Sequence, residues 1–338
     1  MKVLFTSIFM AFLFITCKKE LKPGTGPDEG LPVDSVDLPE DSDVIFDTDA
    51  LIPLNDLGAN TYRTYTGGLY PHGLNEPNGQ YAQNLLETAK SIVPLNEDGN
   101  PDPKGYVVFI SMGASTGGKN MTALIDKTNG NPAVNPRLKI MNGNQPAGLA
   151  TLEIIIDSTS EYWAHVLYVL QLHKTTPQQV QVIYLETDDG INTMNFPERP
   201  NIIKFQTEAC MRTMKSVFQN LKLLYLLGRP RTFNIGTPWN TEPSPYHYGW
   251  ACKWVIEDQI NNKDSVRYTG PDAIAPMATW GFYQWADSLP RKTDNFYWRR
   301  TFSDDGLHAN AVGQDTLSNR FQQFLLTDKY AKQWYAAQ

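Results

Sequence analysis

Short apolar runs alternate with longer amphipathic stretches along most of this 338-residue chain, and this alternation constrains its fold more than any other feature. Each run is too short for a helix and is typical of a strand that is buried on both faces. Strands that are joined by helical crossovers lie parallel. The sequence therefore predicts a single three-layer α/β/α domain with a mostly parallel five-stranded sheet. The predicted strands are Tyr106–Ile110, Leu138–Met141, Val180–Leu185, Leu221–Leu227 and Ala273–Thr279.

The stretch Gly105–Lys119 joins the first of these strands to a turn and a helix, which is predicted over Lys119–Lys127. Ser115 lies in the turn, at the sheet edge where open α/β proteins bind their ligands. A serine there is accessible to substrate, while backbone N–H groups and the helix dipole face a developing oxyanion. Small residues after a strand also serve as plain turn residues, so this stretch alone leaves both roles open.

A second segment, Ser303–His308, places Asp305 three residues before His308 and just ahead of an amphipathic stretch at Gln314–Leu326. At this spacing the carboxylate can orient the imidazole, which can then act as a base toward a serine. We interpret the adjacent Asp304 as a solvated surface charge. The two segments together predict a catalytic set of Ser115, Asp305 and His308.

An early serine and a late Asp-x-x-His follow the order of the SGNH (GDSL-type) hydrolases, and the chain resembles that superfamily. It is similar to a bacterial lipoprotein branch in which Gly-x-Ser replaces Gly-Asp-Ser, here Gly113-Ala114-Ser115. The resemblance covers about residues 56–328 and implies a flavodoxin-like SGNH hydrolase domain over residues 50–338. Its other matching segments are Gly67–Pro71, Pro94–Asn96, Asn142–Gln145, Lys253–Gln259 and Trp280–Asp287.

The resemblance implies a serine hydrolase that cleaves ester bonds, with O-acyl groups such as acetyl on carbohydrate as the expected substrate. Ser115 would be the nucleophile, and the backbone N–H groups of Ser115 and Gly143 would hold the oxyanion. No metal or other cofactor is expected. After the third strand the family has an asparagine that completes the oxyanion site, whereas this chain has Glu186–Gly190. A carboxylate there opposes the oxyanion unless it is turned away or protonated.

Aromatic and amide side chains near the strand ends are candidates for substrate binding, because rings can stack on sugars or acyl chains. A loop is predicted over Thr237–Tyr248, and the same residues also suit a packed lid that binds nothing. The candidates are Tyr70, Asn144, Trp239, Tyr246 and Trp280.

An alternative function is a catalytically weak or inactive surface lipoprotein that keeps the fold as a glycan-binding or complex-forming module. The altered block after the third strand favours this alternative. Retention of Ser115, Asp305 and His308 favours the enzyme.

The first sixteen residues predict an export signal, because the apolar run from Val3 to Ile15 is too short to span a bilayer and fits a signal-peptide core. Cys17 follows at the position that bacterial lipoproteins acylate, and an ordinary secretory signal is the alternative. Residues 17–49 are rich in Pro, Gly, Asp and Glu and are typical of a flexible tether. The chain is thus expected to be lipid-anchored in a bacterial cell envelope, on the outer membrane.

Charge and cysteine content limit the partners. The formal net charge is −7 and no basic stripe is present, which argues against nucleic acid as a ligand. Cys210 and Cys252 remain after the signal. They either pair in the oxidising compartment or lie singly as buried thiols, and the sequence alone leaves both open.

Overall fold

Two sheets are present in the computed structural model, which describes residues 51–190, 195–234 and 240–338. A short antiparallel hairpin pairs β1 (Thr61–Tyr62) with β2 (Tyr65–Thr66). The main sheet has the order β4-β3-β5-β6-β7, and all its neighbouring strands are parallel. The predicted fold class is confirmed. The strands of the main sheet are β3 (Val107–Gly113), β4 (Leu138–Asn142), β5 (Val180–Glu186), β6 (Leu223–Leu226) and β7 (Met277–Trp280).

Helices flank the main sheet. In the described residues α3 packs against α8, and α6 packs against both α4 and α7. Every residue of β3, β5, β6 and β7 is buried, which explains why these strands are almost continuously apolar in the sequence. The helices are α1 (Leu54–Leu57), α2 (Gly79–Lys90), α3 (Ser115–Thr128), α4 (Leu152–Ile156), α5 (Glu161–Leu172), α6 (Glu198–Val217), α7 (Ser244–Ile260), α8 (Ala311–Thr327) and α9 (Lys332–Tyr335).

Helix α3 begins at Ser115, four residues before the predicted start at Lys119. Gly117 and Gly118 disfavour a helix by propensity, at about 1 kcal/mol each relative to alanine, which explains the late prediction. Packing overrides propensity here. A Cβ on Gly117 would lie 3.0 Å from Cβ of Glu186, and one on Gly118 would lie 3.0 Å from Cβ of Asn144. The glycines thus let the first turn of α3 approach the ends of β5 and β4.

Helix α7 also corrects the sequence prediction, because it begins at Ser244 within the stretch that was expected to be a loop. Pro245 lies in the first turn of α7, where its missing N–H leaves no intrahelical hydrogen bond unmade. The carboxyl-terminal part of the predicted loop is therefore helical and packed in the core.

Cys210 in α6 and Cys252 in α7 are both free and buried. Burial raises the pKa of each thiol. Of the two alternatives that the sequence left open, the structure has single buried thiols and no disulfide between them.

Within the described ranges, no helix is long and apolar enough to cross a membrane. The predicted signal, Cys17 and the tether over residues 17–49 lie outside the described residues.

Candidate active site

The structure brings Ser115, His308 and Asp305 into one hydrogen-bonded chain. Oγ of Ser115 is 2.9 Å from Nε2 of His308, and Nδ1 of His308 is 2.7 Å from Oδ2 of Asp305. The serine and the histidine are separated by 193 residues in the sequence, so only the fold creates this contact. The order and spacing are those of a nucleophile, a general base and an orienting acid.

Asp305 is held in place by the backbone of its own loop. Its Oδ1 accepts hydrogen bonds from the N–H groups of Leu307 at 2.9 Å and His308 at 2.7 Å. Partial burial acts to raise the pKa of Asp305, but these bonds and the one from the His308 ring outweigh it and hold the pKa well below its usual range. A charged carboxylate favours the imidazole tautomer with its proton on Nδ1, which leaves Nε2 free to accept the proton of Ser115.

The start of α8 fixes this loop at its other end. Asn310 is the N-cap of α8, and its side chain accepts a hydrogen bond from the N–H of Gly313 at 3.1 Å. The cap sets where the helix begins, two residues after His308. The base is therefore carried on a short segment between two fixed points.

Gly113 makes the turn before Ser115 possible. It has φ +123°, and a Cβ there would lie 2.1 Å from the carbonyl oxygen of Glu186. Its N–H donates to the hydroxyl of Tyr162 at 2.7 Å, and the N–H of Ala114 donates to the carbonyl oxygen of Glu186 at 2.8 Å. The strand thus ends in a tightly held bend, and Ser115 becomes the first residue of α3.

Gly143 was the second expected oxyanion donor, and its N–H is engaged in the structure. The N–H of Gly143 donates to the carbonyl oxygen of Ser111 at 2.9 Å, so it is already engaged between β4 and β3. The N–H of Ser115 belongs to the first turn of α3, whose amides have no acceptor within the helix. An oxyanion at Ser115 would therefore depend on the amino terminus of α3 and its dipole.

Glu186 at the end of β5 is buried, and its carboxyl group is engaged by neighbouring polar side chains. Its Oε2 accepts hydrogen bonds from the hydroxyl of Tyr184 and from Nε2 of Gln284, the latter at 3.3 Å. Burial raises the pKa of Glu186, while these bonds and one from Thr116 act to lower it. The carboxyl group is thus directed into a buried polar cluster beneath the first turn of α3.

Asp188 is neutralised by two buried arginines. Arg199 Nη2 lies 2.7 Å from its Oδ1, and Arg229 Nη1 lies 2.7 Å from its Oδ2. Burial alone would raise the pKa of Asp188, but a hydrogen bond with Asp189 and the two guanidinium groups hold it below its usual range. The acidic block that replaces the expected asparagine therefore carries little uncompensated negative charge toward Ser115.

A small cavity of about 30 Å³ lies directly beside the serine, since Ala114 and Thr116 both line it. Asp188, Arg229 and Asn240 complete its polar side. Arg229 binds Asp188 and also donates to Oδ1 of Asn240 at 2.7 Å, so the arginine is fixed on two sides. Sequence patterns did not single out Arg199, Arg229 or Asn240. The only signal was a basic residue, Arg229, three positions after the end of β6.

The predicted substrate-binding residues that the structure describes lie in different places. Tyr246 is fully buried in α7, and its hydroxyl donates to the carbonyl oxygen of Ile52 at 2.8 Å, so it is a core residue. Tyr70 and Trp280 line a different cavity, which none of the three catalytic candidates borders. Asn144 lies near the serine turn, where its Nδ2 donates to Oγ of Ser111 at 2.5 Å. Trp239 lies outside the described residues.

Among the residues that the structure describes, no three His, Cys, Asp or Glu side chains are grouped so that they could hold a metal ion. His247 is buried, and burial together with nearby Arg199 and Arg63 lowers its pKa to about 3. Its Nε2 is 3.5 Å from the hydroxyl of Tyr62.

The likeness of this chain to known proteins is distant. No family model matches the chain, and no curated protein matches it. Among solved structures it is similar to the salicylyl-acyltransferase SsfX3 from a tetracycline biosynthetic pathway, at 12% identity and a TM-score of 0.35. The match covers 68% of this chain and 58% of that chain, so this chain spans less than two thirds of the acyltransferase. A likeness at this level decides nothing about activity, and the functional conclusion has to come from the site itself.

Proposed function

We propose that this protein is a serine esterase. The observation that carries the proposal is the hydrogen-bonded chain from Ser115 through His308 to Asp305. The resemblance to SGNH hydrolases supports the same chemistry from the sequence side.

In this mechanism Oγ of Ser115 attacks the acyl carbon of the ester while Nε2 of His308 takes the hydroxyl proton. The histidine then gives that proton to the departing alkoxide, which leaves as the alcohol. Water, deprotonated by the same nitrogen, attacks the acyl-enzyme and releases the carboxylic acid, and the proton returns to Ser115. Asp305 keeps the ring in the required tautomer and stabilises the imidazolium that forms in each half.

The weak point of the site is its oxyanion binding. The N–H of Gly143 is bonded to Ser111, whereas the first-turn amides of α3 beside Ser115 have no acceptor within the helix. A missing oxyanion donor costs about 3–4 kcal/mol of transition-state stabilisation. We therefore expect a slow enzyme unless substrate binding reorganises the loop after β4.

The test measures hydrolysis of p-nitrophenyl acetate by the wild type and by Ser115→Ala. Loss of the nucleophile should reduce kcat/KM by at least about 10⁴-fold, to the background rate. Ser216→Ala, which alters an exposed serine on α6, is the matched control and should keep full activity. Equal rates for wild type and Ser115→Ala would rule out the nucleophile.

For the substrate we propose O-acyl groups, such as acetyl, on carbohydrate. The resemblance to the lipoprotein branch supports this class, and the net charge of −7 disfavours polyanions. Acetate release from acetylated polysaccharides, measured for wild type and Ser115→Ala, tests it. Hydrolysis of p-nitrophenyl acetate without acetate release from any glycan would support the proposed esterase activity and contradict the proposed carbohydrate substrate.

A non-catalytic module is the second candidate, and the occupied N–H of Gly143 is the observation that favours it. Such a protein would bind a glycan or a partner subunit without turning over an ester. Wild-type protein that hydrolyses p-nitrophenyl acetate no faster than Ser115→Ala would select this alternative.

We further propose that Cys17 carries a lipid that anchors the protein to the bacterial outer membrane. The support is the signal-like segment before it, as residues 1–50 lie outside the described structure. Cells grown with labelled palmitate should incorporate label into the wild type and none into Cys17→Ser. Label in both proteins would contradict acylation at this residue.

A further inference from the structure

A cavity of about 320 Å³ lies on the β7 side of the sheet, and none of Ser115, Asp305 and His308 lines it. Phe324 in α8 forms part of its wall. Phe324 is thirteen residues beyond Ala311, the first residue of α8. At the rise of an α-helix this places Phe324 about 20 Å along α8 from the end next to His308. The cavity is therefore separate from the candidate active site.

Seven aromatic rings line this cavity, those of Tyr70, Tyr225, Trp280, Phe282, Tyr283, Phe324 and Tyr330. The polar atoms of two of them are already engaged. The hydroxyl of Tyr70 is 3.1 Å from Oγ1 of Thr279, and Nε1 of Trp280 donates to the carbonyl oxygen of Leu69 at 2.6 Å. What these side chains offer a ligand is flat apolar surface, which suits the C–H face of a sugar ring.

Asn55 adds an unsatisfied acceptor to the same wall. It is 7% exposed, and its Nδ2 donates to Oγ1 of Thr293 at 2.7 Å. The hydroxyl of Thr293 itself donates to Oδ1 of Asp56 at 2.8 Å, so it can only accept from Asn55, which fixes the orientation of the amide. Oδ1 of Asn55 then has no hydrogen-bond partner within the described part of the chain. A buried acceptor without a donor is costly, and a ligand hydroxyl would satisfy it.

The charges around the cavity select among ligands. Glu76, Asp294 and Asp328 line it, and of these Asp294 is paired with Arg291 at 2.5 Å. Lys329 lies 4.0 Å from Glu76 with both side chains largely exposed, so this pair is at the rim. An excess of carboxylates repels anions and accepts hydrogen bonds from hydroxyl or ammonium groups.

We propose that this cavity is a second, non-catalytic binding site for a neutral or amino sugar. One pyranose ring would stack on the aromatic wall and donate hydroxyl protons to Asn55 and to the carboxylates. The site would hold a glycan chain on the protein whether or not Ser115 acts on it, so it stands independently of the proposed esterase activity.

The experiment titrates the protein with D-glucose, N-acetyl-D-glucosamine, D-glucosamine and D-glucuronate by isothermal titration calorimetry. At least one of the first three should bind with a Kd of about 1 mM or below, and glucuronate should bind at least about tenfold more weakly. Ser115→Ala should bind the same sugar within about twofold of the wild type.

Two variants locate the site. Asn55→Leu removes the acceptor and should weaken binding by about tenfold or more. Phe324→Ala removes ring surface at a half-buried position and should weaken binding severalfold, which provides a second readout if Asn55→Leu fails to fold. Both should keep the p-nitrophenyl acetate activity of the wild type, because neither residue contacts the catalytic candidates.

Three results would overturn the proposal: no sugar of the panel binds, binding disappears in Ser115→Ala, or Phe324→Ala and a folded Asn55→Leu both bind like the wild type. The second result would place the sugar in the catalytic cleft. A wild-type protein that binds the sugar but does not hydrolyse p-nitrophenyl acetate would reject the proposed enzyme and leave this site intact.

Discussion

Asp304 and Asp305 are adjacent carboxylates with different partners. Asp305 binds the His308 ring and two backbone N–H groups, whereas Oδ1 of Asp304 accepts a 3.2 Å hydrogen bond from Nδ2 of Asn310. Both side chains are carboxylates, so acidity does not distinguish their roles. Asp305 differs because it lies three residues before the histidine, where it can contact the ring. At the scale of single residues, substitution of each aspartate in turn therefore tests whether the contact to His308 matters.

We expect Asp305→Asn to lower kcat by about 10²- to 10⁴-fold with little change in KM, because an amide does not hold the imidazole in the required tautomer. Asp304→Asn is the matched control and should stay within about twofold of the wild type. Steady-state kinetics with p-nitrophenyl acetate measure both. A similar loss in the two variants would show that the loop, and not the contact to His308, was disturbed.

At the scale of elements, the unit that positions Ser115 is β3, its terminal bend and α3. The bend is held by two hydrogen bonds to neighbouring chain segments, at Gly113 and Ala114. Because Gly113 has a positive φ and touches the backbone of β5, its lack of a side chain is a geometric requirement.

Gly113→Ala should destabilise the fold by more than about 2 kcal/mol, because the new Cβ would meet a backbone oxygen and the φ angle suits only glycine. Gly148→Ala is the matched control, since a Cβ there meets nothing within 4 Å, and its unfolding free energy should stay within about 1 kcal/mol of the wild type. Urea denaturation compares the two. Equal stability of both variants would show that the bend relaxes easily.

At the scale of the whole molecule, Glu242 joins the start of α7 to the segment after β6 and to the segment after β7. Its Oε1 accepts from the N–H of Thr232 and from Nε1 of Trp285, each at 3.0 Å, and its Oε2 accepts from the N–H of Tyr246 at 3.3 Å. Burial raises the pKa of Glu242 to about 7, although these donors act to lower it. The native state thus binds a proton at this residue more tightly than the unfolded chain does.

This linkage predicts a pH dependence of stability. The contribution of Glu242 is fully present below the unfolded pKa near 4.5 and is lost as pH rises through the folded pKa of about 7. The unfolding free energy of the wild type relative to Glu242→Gln should fall by about 3 kcal/mol between pH 4 and pH 8. Denaturant unfolding at several pH values measures the difference. Parallel pH profiles for the two proteins would reject it.

The sequence by itself determined the strands, the fold class and the candidates for nucleophile, base and acid. Runs such as Val180–Leu185 are apolar because both faces of the strand are buried, and this requirement is readable locally. The Asp-x-x-His step is also local, since three residues suffice to close the contact between Asp305 and His308.

Only the tertiary structure decided which donors and rings are available. Whether the N–H of Gly143 is free depends on Ser111 in a neighbouring strand. Tyr246 and Trp280 are similar aromatic residues in sequence, yet one is a core residue and the other lines a cavity. Hydrogen-bond partners and burial arise from residues far apart in the chain, so no local pattern encodes them.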